Sequence, residues 1–361
     1  MDAPWTSPTP ILLTRDALAR TGNRNELTRQ ARTEGTLLRL RAGAYVDRRA
    51  FARLRPSEQH RVRIIAAHRC DDLQDGAALA RESAAIMMGI PLIGPVPERV
   101  QLVRPARLGG RLTATTRTLT APPSVDLTDL AGVPITSAAQ TLIDLGRRRS
   151  FASTLASMDH CLHTTAVSKE QLLGLLATQQ HRPGNGLARR AIEWSDSRAE
   201  SPGESLSRAV IIENGLAVPD LQRELLDDDG EFLGRVDMLW EEHGVVGEFD
   251  GAMKYTRGLT GAYPQEVVVA ERRREHALES RGHVRVARWT WADAMGRGTG
   301  MLTELARYGV VARPRTRSTV YASIDRRISR NQTVEQCIDG RPGDQESGTR
   351  ASWPSDWRST S

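Results

Sequence analysis

Residues 203–308 switch between helical and strand periodicity in the order αβββαβα, and few folds accommodate that order. A helix over Glu204 to Asn214 leads into strands at Leu221 to Leu226, Phe232 to Trp240 and Val245 to Asp250. A helix over about Gln265 to Ser280, a strand at Val284 to Trp289 and a last helix within Trp291 to Arg307 complete it. The connections are written in turn residues: Asp227-Asp228-Asp229-Gly230 between the first two strands and Glu241 to Gly244 between the next two. Ser201-Pro202-Gly203 punctuates the chain just before, which predicts a C-terminal domain over 201–310. At 361 residues the chain has room for two or three domains, and the predicted fold class is α+β.

Charge is distributed unevenly. Residues 203–250 hold thirteen acids against three arginines, whereas residues 1–60 hold eleven arginines against six acids. The basic end suits a polyanion, and the acidic stretch repels one unless cations neutralise it. Side chains alternate along a strand, so Glu248 and Asp250 share one face while Gly247 and Phe249 take the other. Asp237 on the preceding strand can lie opposite them, with Val236 and Met238 turned to the core. Three converging carboxylates repel strongly. A hard divalent cation relieves that repulsion, so Mg2+ or Mn2+ is expected, with Asp237, Glu248 and, from the leading helix, Glu204 as ligands. Lys254, four residues after Asp250, is one of two lysines in a chain with 50 basic residues. An ammonium's pKa can be tuned where a guanidinium's cannot, which makes Lys254 a candidate catalytic group beside Asp237, Glu248 and Asp250. Chance retention, as at Lys169, is the alternative.

Residues 14–47, within a predicted winged-helix DNA-binding region over 10–56, read as two short helices and a hairpin. Thr14 can cap a helix over Arg15 to Thr21 that buries Ala17 and Leu18, and Gly22 ends it. Asn23 and Glu26 make a capping-box-like start for a second helix reaching Glu34. Leu27 and Ala31 face inward at i and i+4, leaving Arg24, Asn25, Thr28, Arg29 and Arg32 outward. Two short strands, Thr36 to Arg41 and Ala44 to Val46, turn at Ala42-Gly43. Helix, turn, helix and wing is an arrangement that binds duplex DNA, and Arg41 stands on the wing. A basic helical hairpin used only for packing is the alternative.

The region 57–200 predicts helices at 57–70 and 78–88, strands at 99–104 and 112–119, and a helix at 136–146. Residues 150–197 are helical, with a capping box at Ser168 and Gln171. His160 and His163, three apart with no third ligand nearby, read as a packed or solvated pair. From about Arg313 periodicity is lost, which predicts a disordered tail over 311–361 with Trp353 and Trp357 exposed. Cys70, Cys161 and Cys337 lie far apart, which gives neither a zinc site nor a disulfide framework and suits a reducing cytoplasm. No run approaches the ~18 apolar residues that span a bilayer, and no basic and apolar leader is present, so a cytoplasmic protein with no membrane partner is expected.

Two family resemblances rest on these motifs. Leu38-Arg39-Leu40-Arg41-Ala42-Gly43-Ala44-Tyr45-Val46 resembles the wing of the winged-helix segment in AbiEi-type antitoxins of abortive-infection (type IV) toxin–antitoxin systems. Ala80-Arg81-Glu82-Ser83-Ala84-Ala85 with Gly89-Ile90-Pro91 resembles the region that follows in actinobacterial relatives, as does Gly132-Val133-Pro134-Ile135-Thr136 with Gln140 to Leu145. Together they cover about residues 10–148 and imply DNA binding, with a cognate toxin protein as partner. Residues 200–292 resemble the PD-(D/E)XK nuclease superfamily, closest to very-short-patch repair endonucleases. Glu204-Ser205 with Arg208, Arg235-Val236-Asp237, Glu248-Phe249-Asp250-Gly251 with Lys254-Tyr255, Glu271 with Arg274, and Val286 to Trp291 carry that resemblance in family order.

The second resemblance implies a restriction-endonuclease-like domain that hydrolyses phosphodiesters with a metal held by Asp237 and Glu248. It also implies that Lys254 orients the attacking water or stabilises charge, and that Arg272 and Arg274, in the run Arg272-Arg273-Arg274, hold strand phosphates. In the superfamily pattern the lysine follows the acid by two residues. Here Asp250 occupies that position, so Lys254 reaches the site only from a loop that folds back. Two accounts therefore stand: a Mg2+-dependent endonuclease with a winged-helix targeting region, and a non-enzymatic antitoxin-like autorepressor that keeps a degenerate nuclease fold. A protein-only interaction module is a third.

Overall fold

In the computed structural model, the described residues are 4–312 apart from 22, 24, 71–72, 74–75, 106–108, 122–123 and 252–263, with backbone alone at 20–21 and 264–272. The expected tail, with Trp353 and Trp357, lies outside them from residue 313 onward. The class is α+β: three sheets, each with its own helices, lie within the single compact unit that reaches Ala312.

The first sheet grows from β1 (Leu12–Leu13), α1 (Thr14–Thr21), α2 (Glu26–Arg29), β2 (Leu37–Arg41) and β3 (Ala44–Asp47). A π-helical turn over Gln30–Glu34 extends α2, and Gly35 stops it at φ +66°. The strand order is β1-β3-β2, antiparallel throughout. Ala17, Leu27, Leu37 and Tyr45 close over one another between the helices and the hairpin. Two local expectations change. Leu18 is 42% exposed, because an eight-residue helix has only one narrow face against the sheet. Asn23 accepts a hydrogen bond from Asn25 N at 2.9 Å, a local turn in place of a capping box with Glu26.

The middle region comprises α3 (Arg48–Ala52), α4 (Pro56–Arg69), β4 (Ala78–Leu79), α5 (Arg81–Met88), β5 (Val100–Arg104), β6 (Arg111–Leu112), β7 (Thr116–Thr120), β8 (Leu127–Leu130) and β9 (Val133–Thr136). Helices α6 (Ala138–Gly146), α7 (Phe151–His163), α8 (Lys169–Thr178) and α9 (Asn185–Trp194) follow. The six strands form a mixed sheet in the order β6-β7-β5-β4-β9-β8. The helix expected from residue 78 begins only at Arg81, because Leu79 pairs with Leu102 on one side and Ile135 on the other. A short apolar run is ambiguous between buried strand and helix until its neighbours are known. The strand expected at 112–119 is a hairpin, β6 and β7, and the β8–β9 hairpin went unforeseen because β8 is exposed and lacks an apolar alternation.

The C-terminal elements arrive in the expected order: α10 (Pro202–Asn214), β10 (Asp220–Leu226), β11 (Phe232–Trp240), β12 (Val245–Asp250), α11 (Pro264–Arg281), β13 (Arg285–Thr290), α12 (Trp291–Ala294) and α13 (Thr299–Arg307). The strands lie in sequence order, the first three antiparallel and β13 parallel to β12 after the α11 crossover. The single last helix expected breaks into α12 and α13 at Gly296 and Gly298, both at positive φ. Leu206, Val210, Met238, Trp240, Phe249 and Trp289 fill one face of the sheet, and Leu239, Val246 and Val286 meet Leu278 of α11 on the other. Gly247 is required on the first face. An added Cβ would sit 2.4 Å from the Trp289 ring and 2.8 Å from that of Trp240. Both indoles are buried, so neither can swing away. Gly247→Ala is accordingly expected to lower stability by about 1–3 kcal/mol, the usual range for overpacking; an unchanged melting temperature would refute the tight fit.

Candidate functional site

The acidic cluster expected from the sequence lies on the α11 side of the C-terminal sheet. Met238 pairs with Gly247 in the antiparallel β11–β12 ladder, so the next step places Asp237 across from Glu248. Asp237 reaches the neighbouring strand through the backbone: Phe249 N donates to its Oδ2 at 3.2 Å. Asp250 ends β12, half-buried, in register with Thr290.

The partners of these acids differ from the expectation. Glu248 is only 8% exposed and faces two guanidinium groups. Arg288 stands beside it in the β12–β13 register and places Nε and Nη2 at 3.1 and 3.0 Å from Oε2. Arg274 Nη2 lies 2.9 Å from Oε1, although that contact lacks hydrogen-bond geometry. Arg274 is positioned by helical spacing: Leu278, one turn on, is buried against the sheet, so the arginine at i−4 lies over the same strands. It also donates to Arg235 O at 2.7 Å and crosses Gly234, whose missing Cβ would approach its Nε to 3.1 Å. Arg288 Nη1 continues to Glu275 at 3.1 Å. Glu248 and Glu275 thus stand against Arg274 and Arg288, with both Arg288 nitrogens converging on the single oxygen Oε2 of Glu248 in a charge-assisted contact.

Glu204 is committed to its own helix end. Ser201 Oγ donates to its Oε1 at 2.6 Å, and Glu200 N and Gln222 Nε2 donate to its Oε2, each at 3.0 Å. The carboxylate is buried in that role, and Ser201 in turn accepts from Glu204 N as the N-cap. Among the described residues no group of three or more His, Cys, Asp or Glu side chains is placed to hold a metal ion. Of the three acids expected as ligands, Glu204 is engaged by Ser201, Glu200 N and Gln222, and Glu248 by Arg288 and Arg274. The sequence showed the acids, but the arginines that answer them come from a helix and a parallel strand whose register it does not display. Lys254 and the side chain of Arg272 lie outside the described residues.

At the basic end, the helix pair presents Asn25, Arg29 and Arg32 to solvent, while Arg24 lies outside the described residues. Arg29 is held by Glu26 at 2.8 Å and Glu34 at 2.7 Å. The hydrogen bond it donates to Glu26 and the charge of both acids raise its pKa above the ordinary arginine value. Thr28, expected outward, is half-buried, with Oγ1 3.0 Å from the Tyr45 hydroxyl, and so ties the second helix to the wing. Arg41 is half-buried at the end of β2, and Arg39, not singled out from the sequence, is exposed on that strand. Arg32 makes no ion pair among the described residues, which leaves it the least encumbered cation on this surface.

His160 and His163 occur on α7 as expected, with His163 Nδ1 2.9 Å from Ser197 O. No helix among the described residues is long and apolar enough to cross a membrane.

No family model matches the chain. Two curated relatives from Mycobacterium tuberculosis, the uncharacterized proteins MT2308 of strain CDC 1551 / Oshkosh and Rv2248 of strain H37Rv, are each 31% identical to it over 121 residues. That match spans 34% of this chain and 44% of each relative, less than half of their length. The crystal structure of the RV2827C protein from Mycobacterium tuberculosis aligns with 55% of this chain and 74% of its own, at 16% identity and a TM-score of 0.33, a likeness too distant to define a shared fold.

Proposed function

We propose that this is a duplex-DNA-binding regulator of antitoxin-like character, acting in the cytoplasm, whose C-terminal αβββαβ region serves as a nuclease-like scaffold without cleaving. The observation that carries the second half is the clamp on Glu248: Arg288 and Arg274 supply the positive charge that a metal ion would otherwise bring. The first half is supported by two short helices and a hairpin with Asn25, Arg29, Arg32 and Arg39 exposed on them. Such a unit lays a helix against a groove while the wing reaches the flanking backbone. A cognate toxin protein is the protein partner that this reading implies.

Plasmid incubated with the protein and Mg2+ or Mn2+ is expected to stay supercoiled, with wild type and Asp237→Ala alike, while both shift duplex fragments in a gel. Arg32→Ala is expected to weaken the duplex complex several-fold and to reduce the slope of log K against log salt by about 1, one phosphate contact. Unchanged affinity and slope would remove the helix pair from the interface.

A second reading keeps one specific observation on its side, the placement of Asp237 across from Glu248. In it these two acids, with Glu204 as a further ligand and Asp250 beside them, hold Mg2+ or Mn2+ for phosphodiester hydrolysis, and Lys254, Arg272 and Arg274 act on the substrate. Metal-dependent nicking by wild type, abolished in Asp237→Ala, would install this reading in place of the first.

A further inference from the structure

The six-stranded sheet of the middle region carries a second concentration of positive charge. Arg81 opens α5, Arg99 precedes β5, Arg111 and Arg117 lie on β6 and β7, Arg148 follows α6, and Arg182 precedes α9. All six line one cleft of about 750 Å3, and an adjoining cleft of about 610 Å3 shares Arg81, Arg117 and Arg148 with it. None of the six forms an ion pair among the described residues, whereas Arg29, Arg149, Arg198, Arg208, Arg274 and Arg288 all do. Of the three acids lining the smaller cleft, Glu82 pairs with Arg149 and Asp144 with Arg147, and the third is Glu213. Glu98 is the one acid lining the larger cleft.

Crowding like charges without partners is unfavourable unless an anion completes the arrangement. Arg81 shows the strain: burial, reinforced by Arg148 and Arg117, pushes its pKa below the ordinary arginine value, against Asp144 and Glu82. Arg81 Nε and Arg182 Nη1 are buried with no hydrogen-bond partner. These guanidinium groups come from six separate elements and connections, so no one helix or strand accounts for their convergence.

We propose that this arginine trough binds the phosphate backbone of a nucleic-acid duplex, independently of sequence, as a second contact surface separate from the N-terminal helix pair. Its shape and lining set the ligand class. The two clefts share Arg81, Arg117 and Arg148, so their guanidinium groups adjoin one another over both, which suits a run of phosphates. No Phe, Tyr or Trp lines either cleft, so bases have nothing to stack on as they do in single-strand sites. A duplex turns its phosphates outward and keeps its bases inside, and arginine is the residue suited to phosphate oxygens.

The inference does not depend on which proteins or operators the helix pair serves. The test compares wild type with the triple variant Arg111→Gln, Arg117→Gln, Arg148→Gln, which replaces three exposed residues that make no ion pair among the described residues. Binding to a random-sequence 30-base-pair duplex is titrated across salt concentrations, with circular dichroism to verify folding. The variant is expected to bind about tenfold or more weakly at low salt, and its log K against log salt slope is expected to fall by up to about 2.7, three phosphates at about 0.9 each. A slope equal to wild type overturns the proposal, even if Arg32→Ala separately weakens binding and so upholds the helix pair. Competition by a short inorganic polyphosphate with an unaltered duplex slope also overturns it, because the trough would then take a compact anion instead of a duplex.

Discussion

Asp159→Ala is expected to destabilise the protein by about 3–5 kcal/mol, the range for breaking a buried ion pair by removing one partner. Asp159 is fully buried on α7 and receives Arg208 Nη1 at 2.6 Å, Ser205 Oγ at 2.8 Å and Asp196 N at 2.8 Å. Arg208 and Ser205 belong to α10, so this cluster fastens the helices of the middle region to the C-terminal sheet. Alanine leaves a guanidinium that is 4% exposed with its charge uncompensated, held by little more than the Trp194 carbonyl at 2.8 Å. Asp159→Asn should recover part of the loss, since it restores the shape and some hydrogen bonds without the charge. Urea denaturation of both variants measures this; a loss below about 1 kcal/mol in the alanine variant would show that the pair is not what joins the two parts.

Acidification from pH 6.5 to pH 4 is expected to remove about 3 kcal/mol of stability through His60. This histidine is fully buried on α4, with Nε2 2.8 Å from Ser83 Oγ, which also accepts from Gln101 N at 2.8 Å. Burial, helped by the charge of Arg63, lowers its pKa to about 4 in the folded protein, against 6.5 for the free side chain. Between those values the unfolded chain binds a proton that the native state refuses, at about 1.4 kcal/mol per pH unit. Its contribution is therefore whole above pH 6.5 and lost as pH falls toward 4. Asp159 acts in the opposite sense: burial raises it to about 6, partly offset by Arg208, so its linkage favours the folded state as pH falls through that value. The two nearly overlap in wild type, and single variants separate them. Asp159→Asn should leave the His60 loss uncompensated and so steepen it, whereas His60→Gln should leave the Asp159 gain, with stability rising as pH falls from 6 toward 4. Identical pH profiles for His60→Gln and wild type would contradict the assignment.

Sequence alone settled the features written locally. The order αβββαβ was legible because each C-terminal strand is a continuous run between turn residues, and Phe232–Trp240 and Val245–Asp250 fall at the boundaries periodicity sets. The capping box at Ser168 and Gln171 is an equally local property. Pairing between distant segments was hidden. Ala78–Leu79 became a strand because Leu102 and Ile135 flank it, Thr28 turned inward because Tyr45 waits on the wing, and Glu204 closed onto Ser201 and Gln222. Most consequential was the charge bookkeeping around Glu248, since an acid read by itself invites a metal, whereas tertiary structure delivers Arg288 through a parallel register and Arg274 through a helix turn. The arginine trough arises likewise from residues up to a hundred positions apart. Periodicity and turn chemistry act over a few residues and so survive in a linear reading, but which charge meets which is decided by packing alone.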